Sequence, residues 1–171
     1  LGMTGSVATT LAPKIIESLS DIGNVKIILT ESALPFVDVI NLKSDYKVFR
    51  DKDEWSADGK YHKDDPVLHI DLRKWADVFV IVPLTANSLA KIANGFCDNL
   101  LTNVFRAWDW TRPVVMAPAM NTLMWENPPT VRHLLSLQMD FGDSLHVVLP
   151  QIKKLACNDE GEGALANIDV I

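Results

Sequence analysis

Val78-Phe-Val-Ile-Val-Pro83-Leu-Thr85-Ala-Asn87-Ser88 carries the pattern that decides the fold. An uncharged run rich in β-branched residues passes straight into small polar side chains, and then into the helical pattern of residues 88–93. A strand that is apolar at every position, rather than at alternate ones, is covered on both faces, as in parallel α/β sheets. Thr85, Asn87 and Ser88 therefore stand at the carboxyl end of a buried strand. Each is a good helix N-cap, and the same place is where doubly wound folds bind ligands.

Working outward, Val25-Lys-Ile-Ile-Leu-Thr30, Pro113-Val-Val-Met-Ala-Pro118 and His146-Val-Val-Leu-Pro150 read as further strands of this kind. Helical patterns lie between them. Residues 11–19 put Leu11, Ile15, Ile16 and Leu19 on one face, with Pro13 accommodated in the first turn. Residues 88–93, 99–108 and 130–137 give three more, with Gly95 as a stop signal. Alternation of this kind predicts an α/β fold with a doubly wound parallel sheet, as one domain over residues 1–171. Leu1-Gly-Met-Thr-Gly-Ser6 reads as the turn after a first strand, which implies residues before Leu1. Residues 51–65 are polar and charged, and read as a mobile surface loop.

A chain of 171 residues can bury one sizeable core. No apolar run approaches the roughly 20 residues that span a bilayer. The net charge is −6 and the basic residues are scattered, which argues against nucleic acid as a partner. Two cysteines, Cys97 and Cys157, make no disulfide framework and favour a reducing cytoplasm. Cys97, following Phe96, reads as structural.

Gly2-Met-Thr-Gly5-Ser6 opens the first helix, where glycines allow close backbone approach and free N–H groups can meet a phosphate. It is not the full dinucleotide fingerprint, and a tight turn explains it equally well. Thr30-Glu-Ser32 ends the second strand in the same polar manner, so three strand ends predict a mononucleotide or flavin pocket. His69, within Asp65-Pro-Val-Leu-His69-Ile-Asp71, is by default a packed histidine, with acid–base chemistry as the alternative. Asn121, in Pro118-Ala-Met120-Asn121-Thr-Leu-Met124-Trp125, is either an N-cap or an amide for a carboxylate. Met124 and Trp125 are core or interface residues by default. Cys157 precedes a polar, glycine-rich run and reads as a loop thiol whose pKa Lys153 and Lys154 could lower.

Taken in order, Gly-x-Thr-Gly-Ser-Val-Ala, Asp-Pro-Val-Leu-His, Pro-Leu-x-Ala-Asn, Cys-Asp-Asn-Leu-Leu-Thr, Pro-Ala-Met-Asn-x-x-Met-Trp and Cys-x-Asp-x-Gly-x-Gly-Ala form one set. The chain resembles the homo-oligomeric flavin-containing cysteine decarboxylase family over essentially its whole length, with a pattern nearest the free-standing eukaryotic members and the plant halotolerance proteins. The resemblance implies a Rossmann-like, flavodoxin-type three-layer fold, bound FMN, and a homotrimer with active sites between subunits. It implies oxidative decarboxylation of 4′-phosphopantothenoylcysteine to 4′-phosphopantetheine in coenzyme A biosynthesis. By the matching motifs, Gly5, Ser6, Ser32, Phe36, Thr85, Asn87 and Ser88 would hold FMN. His69 would be the catalytic histidine, donated by a neighbouring chain. Asn121 would bind the substrate carboxylate, with Met124 beside it, and Cys157 would be the reductive cysteine on a closing flap. Flavin explains the chemistry, because decarboxylation of a plain carboxylate lacks an electron sink. Asn158, where relatives often carry glycine, is a departure that touches the flap turn. The family also contains regulatory members, so a non-catalytic FMN-binding subunit such as a protein phosphatase inhibitor is the competing expectation. Peptide cysteine decarboxylation and flavin prenyl transfer fit the Asp-Pro-Val-Leu-His segment less well.

Overall fold

In the computed structural model, residues 1–56, 58–154 and 160–171 are described. Six strands form one parallel sheet: β1 (Gly2–Met3), β2 (Lys26–Leu29), β3 (Lys47–Arg50), β4 (Phe79–Leu84), β5 (Val114–Pro118) and β6 (Leu145–Val147). Their spatial order is β3-β2-β1-β4-β5-β6. The order reverses between β1 and β4, which makes the carboxyl ends of those two strands the topological switch point. Helices α1 (Ala12–Ser20), α2 (Val39–Asp45), α3 (Leu68–Trp75), α4 (Ala86–Ala93), α5 (Leu100–Arg106), α6 (Thr122–Trp125) and α7 (Pro128–Phe141) connect them. An antiparallel hairpin, β7 (Gln151–Lys154) with β8 (Glu160–Ala164), follows the sheet. This is the expected α/β architecture.

Each sheet face carries its own apolar core. Ile81, Leu89, Leu101, Val104, Met116 and Leu137 pack on one side, and Met3, Ile15, Ile16, Leu29, Val82 and Ala117 on the other. Alternate residues of β4 go to opposite cores, which is why its sequence is apolar throughout. Pro13, as expected, sits in the first turn of α1, and Pro128 and Pro129 open α7, where no intrahelical N–H is lost. No helix among the described residues is long and apolar enough to cross a membrane.

Four expectations change. Gly2 and Met3 are not turn residues; they are buried strand, with Gly2 facing Ile28 and Ile81 in register. Leu11 lies outside the packed stripe of α1 and is exposed. Cys97 is exposed too, its thiol turned to the Gly95 carbonyl at 3.4 Å, so it does not fill the core. The segment 51–65 is not simply a surface loop, because it folds inward at Glu54, which is buried.

Candidate flavin and proton-transfer site

The switch point is built from short polar side chains tied to main chain. Thr4, fully buried at the end of β1, donates from Oγ1 to the Pro83 carbonyl at 2.8 Å. The same oxygen accepts the Thr85 N–H at 2.9 Å, so one hydroxyl locks the ends of β1 and β4 together. Thr9 Oγ1 donates to the Thr4 carbonyl at 2.7 Å and holds the following 3-10 turn, Val7–Leu11, against the strand. Ser6 caps that turn, its Oγ accepting the Ala8 N–H at 3.3 Å.

Gly5 lies where β1 and β2 approach each other: a Cβ there would stand 2.5 Å from the Ser32 carbonyl oxygen. Glycine at that position is therefore a packing requirement, not only a turn preference. Ser32 sits beside it at the head of the 3-10 turn Glu31–Phe36, its hydroxyl 3.0 Å from that of Thr30. Across the cleft, Thr85 caps α4, accepting the Ser88 N–H at 3.3 Å, and its Oγ1 donates to Ser88 Oγ at 3.2 Å. Asn87 is exposed, and its side chain makes no hydrogen bond among the described residues. Phe36 is half-buried at the end of the Ser32 turn. All seven expected cofactor residues thus lie at three neighbouring strand ends or in the turns that leave them, with Phe36 closing the turn after β2.

Asn121 follows β5 and caps α6, accepting the Leu123 N–H through Oδ1 at 2.9 Å. Met124 is 48% exposed, so it is not core. The hairpin docks here. The Met120 N–H donates to the Gly163 carbonyl at 2.9 Å, and a Cβ on Gly163 would stand 2.4 Å from the Met120 carbonyl oxygen. Gly163 also has φ +143, a conformation that side chains rarely adopt, so β8 reaches the Asn121 segment only as glycine. Cys157 lies outside the described residues.

His69 is placed elsewhere, on the first turn of α3, and makes no bond to the strand-end cluster among the described residues. Its Nδ1 lies 2.5 Å from Glu54 Oε1. Glu54 was missed by sequence reasoning. It stands in a stretch dense with acids, and nothing in that stretch marks one of them as buried. Thr4 was also missed, because a threonine between two glycines reads as part of a turn.

The described cleft fits a phosphorylated flavin by its chemistry. The side chains facing it are hydroxyls and amides, Ser32 and Asn87 are exposed to a ligand, and α4 starts at its rim with N–H groups unsatisfied within the helix. A groove of about 580 Å³ lies at the opposite, amino-terminal edge, lined by Lys26, Trp75 and Phe79, away from this cluster. Strand order places ligands at the carboxyl edge, so the groove is not the site.

Comparison with known proteins agrees with this fold. Phosphopantothenoylcysteine decarboxylase of Arabidopsis thaliana is 50% identical over 173 aligned residues, covering 100% of this chain and 79% of that protein. The mouse (Mus musculus) protein of the same name is 43% identical, covering 100% and 81%. Among solved structures, a PPC decarboxylase cysteine-to-serine mutant complexed with pantothenoylaminoethenethiol superposes with a TM-score of 0.91 at 47% identity, covering 99% of this chain and 90% of that one. The FMN binding protein AtHal3 gives 0.87 at 47% identity, covering 99% and 89%. The model of the Flavoprotein family matches residues 1–171, and with the switch-point cleft already in place the chain belongs to that family.

Proposed function

We propose that this chain is a carboxy-lyase that converts 4′-phosphopantothenoylcysteine to 4′-phosphopantetheine with FMN, in coenzyme A biosynthesis. One observation carries the reading. A cleft of neutral hydroxyl and amide donors sits at the β1/β4 switch point of a chain about half identical, end to end, to phosphopantothenoylcysteine decarboxylases. Flavin, when bound, supplies the electron sink that oxidises the substrate's thiol-bearing carbon and later returns the hydride.

The chain's own residues do the rest. Ser6, Ser32, Phe36, Thr85, Asn87 and Ser88 would hold the cofactor, and Gly5 lets the β1 and β2 ends approach each other there. His69 removes a proton through Nε2, because Nδ1 is already engaged. Asn121, its Oδ1 on the α6 N-cap, binds the substrate carboxylate at the carboxyl end of β5. Met124, exposed beside it, shapes the pocket wall. Cys157 gives the final proton. An ethenethiol ligand on a relative's serine-for-cysteine mutant is what a stalled last step would leave.

The family resemblance has His69 serve a neighbouring chain's cleft, in a homotrimer working in the cytoplasm; its place on α3, paired with Glu54, is compatible with that role. Carbon dioxide release from 4′-phosphopantothenoylcysteine by the yellow holoenzyme tests the activity. Stoichiometric release is expected. None, with FMN bound, would leave a non-catalytic FMN-binding subunit as the reading.

A further inference from the structure

Glu54 is the one charged side chain buried among the described residues, with 5% of its side chain exposed. A carboxylate in such surroundings is costly unless it is paired. Its partner is His69: Oε1 meets Nδ1 at 2.5 Å, while Oε2 is buried with no hydrogen-bond partner in the described structure. The whole polar investment of this acid is therefore in one imidazole nitrogen.

The backbone that presents Glu54 is fixed before the contact is made. Asp51 Oδ1 accepts the Leu100 N–H at the start of α5 at 2.9 Å, and Asp53 Oδ2 accepts the Arg50 N–H at 2.8 Å. The Glu54 N–H then donates to the Asp51 carbonyl at 3.2 Å. β3, α5 and α3 are thus joined at one point, and that point ends on a histidine.

We infer that Glu54 is the positioning residue of His69. Its carboxylate accepts the Nδ1–H, which sets the ring's rotation and leaves the lone pair on Nε2 for the substrate proton. It also offsets the positive charge that develops on the ring when Nε2 takes that proton. This rests on the reading of His69 as the proton acceptor, and it adds a residue that neither touches substrate nor binds flavin.

A merely structural tie between loop and helix would change stability but not the histidine's tautomer, so the test reads the tautomer. Holoenzyme labelled with ¹⁵N-histidine, compared with its His69→Asn variant for assignment, is expected to show His69 protonated at Nδ1 and bare at Nε2 in the neutral ring. In Glu54→Gln a mixture of tautomers is expected, with kcat lowered about 10- to 100-fold, less than the roughly 10²- to 10⁴-fold for removing the acid–base group itself. KM and FMN content should be unchanged. Glu54→Asp, which keeps the charge but falls one methylene short, should recover part of kcat. Wild-type rate with an unshifted spectrum in Glu54→Gln, while His69→Asn is inactive, would overturn the positioning role alone. Activity in His69→Asn would overturn the reading of His69 itself. Should Glu54→Gln fail to fold, the wild-type spectrum decides: a ring protonated at Nε2 rather than Nδ1 sinks the inference.

Discussion

At the carboxyl edge of β1 and β4, the Thr4 hydroxyl of β1's end reaches across 79 and 81 positions of sequence to grip β4's main chain at Pro83 and Thr85. At the His69 corner, a single carboxylate grips a single ring across 15 positions. The first arrangement distributes its bonds over backbone groups that any sequence would offer. The second depends on the identity of two side chains. A cleft that holds a large cofactor needs rigid walls, and main-chain ties inside a sheet supply them. A group that exchanges protons needs one defined ring nitrogen, and a side-chain pair supplies that. The difference teaches that damage to the two regions should look different: lost flavin or stability at the first, lost turnover with flavin retained at the second.

His69→Asn should break the comparison most sharply. Turnover is expected to fall about 10²- to 10⁴-fold, the range for removing a general base, with the flavin absorbance of the purified protein unchanged. Mixing that variant with Asn121→Asp sharpens the result. Asp preserves the α6 cap but repels a carboxylate, so each chain is inactive alone. Refolded together, they should regain activity if the two regions meet across subunits, and stay inactive if each chain uses its own.

Thr4→Val removes the hydroxyl and keeps the shape, leaving the Thr85 N–H and the second bond to Pro83 unmade. A loss of about 1–3 kcal/mol in urea unfolding is expected, with weaker FMN retention, since a buried donor is left unsatisfied. Gly163→Ala imposes a left-handed conformation and a clash with the Met120 carbonyl. About 1–3 kcal/mol of strain is expected, and it should appear as lost turnover more than lost flavin, because β8 docks on the Asn121 segment.

The smallest effect belongs to Asp65, whose carboxylate accepts the Ser56 hydroxyl at 2.7 Å and the His62 N–H at 2.8 Å. Those hydrogen bonds, the Ser56 hydroxyl first, hold its pKa below the ordinary value. A carboxyl lowered in the folded state stabilises above its unfolded pKa, and that contribution is lost as pH falls through the folded one. Acidification below the ordinary carboxyl value and on through the lowered one should speed proteolysis beside Ser56 and His62 in the wild type. Asp65→Asn should show the faster cleavage already at pH 7, with its melting temperature scarcely moved.

The doubly wound sheet was legible because β2, β4 and β5 are apolar at nearly every position, and two-sided burial permits little else. The polar ends after them were legible for the same reason, since small hydroxyl residues directly after such strands stand out. β3 was not: Lys47 and Arg50 bracket it, and only Val48 is buried, as an edge strand allows. β8 was hidden because Glu160-Gly-Glu-Gly-Ala164 has little strand propensity; a close backbone approach at Gly163 holds it. The family resemblance named His69 and Asn121 but not what fixes them. Glu54 gives no local signal, because its burial arises from Asp51 and Leu100 meeting across 49 positions.

The most direct test of the account is the mass of the product made by wild-type holoenzyme from 4′-phosphopantothenoylcysteine. The account predicts 4′-phosphopantetheine, the substrate less carbon dioxide with no net oxidation. Unchanged substrate, or a decarboxylated product still two hydrogens short at the end of the reaction, would contradict it.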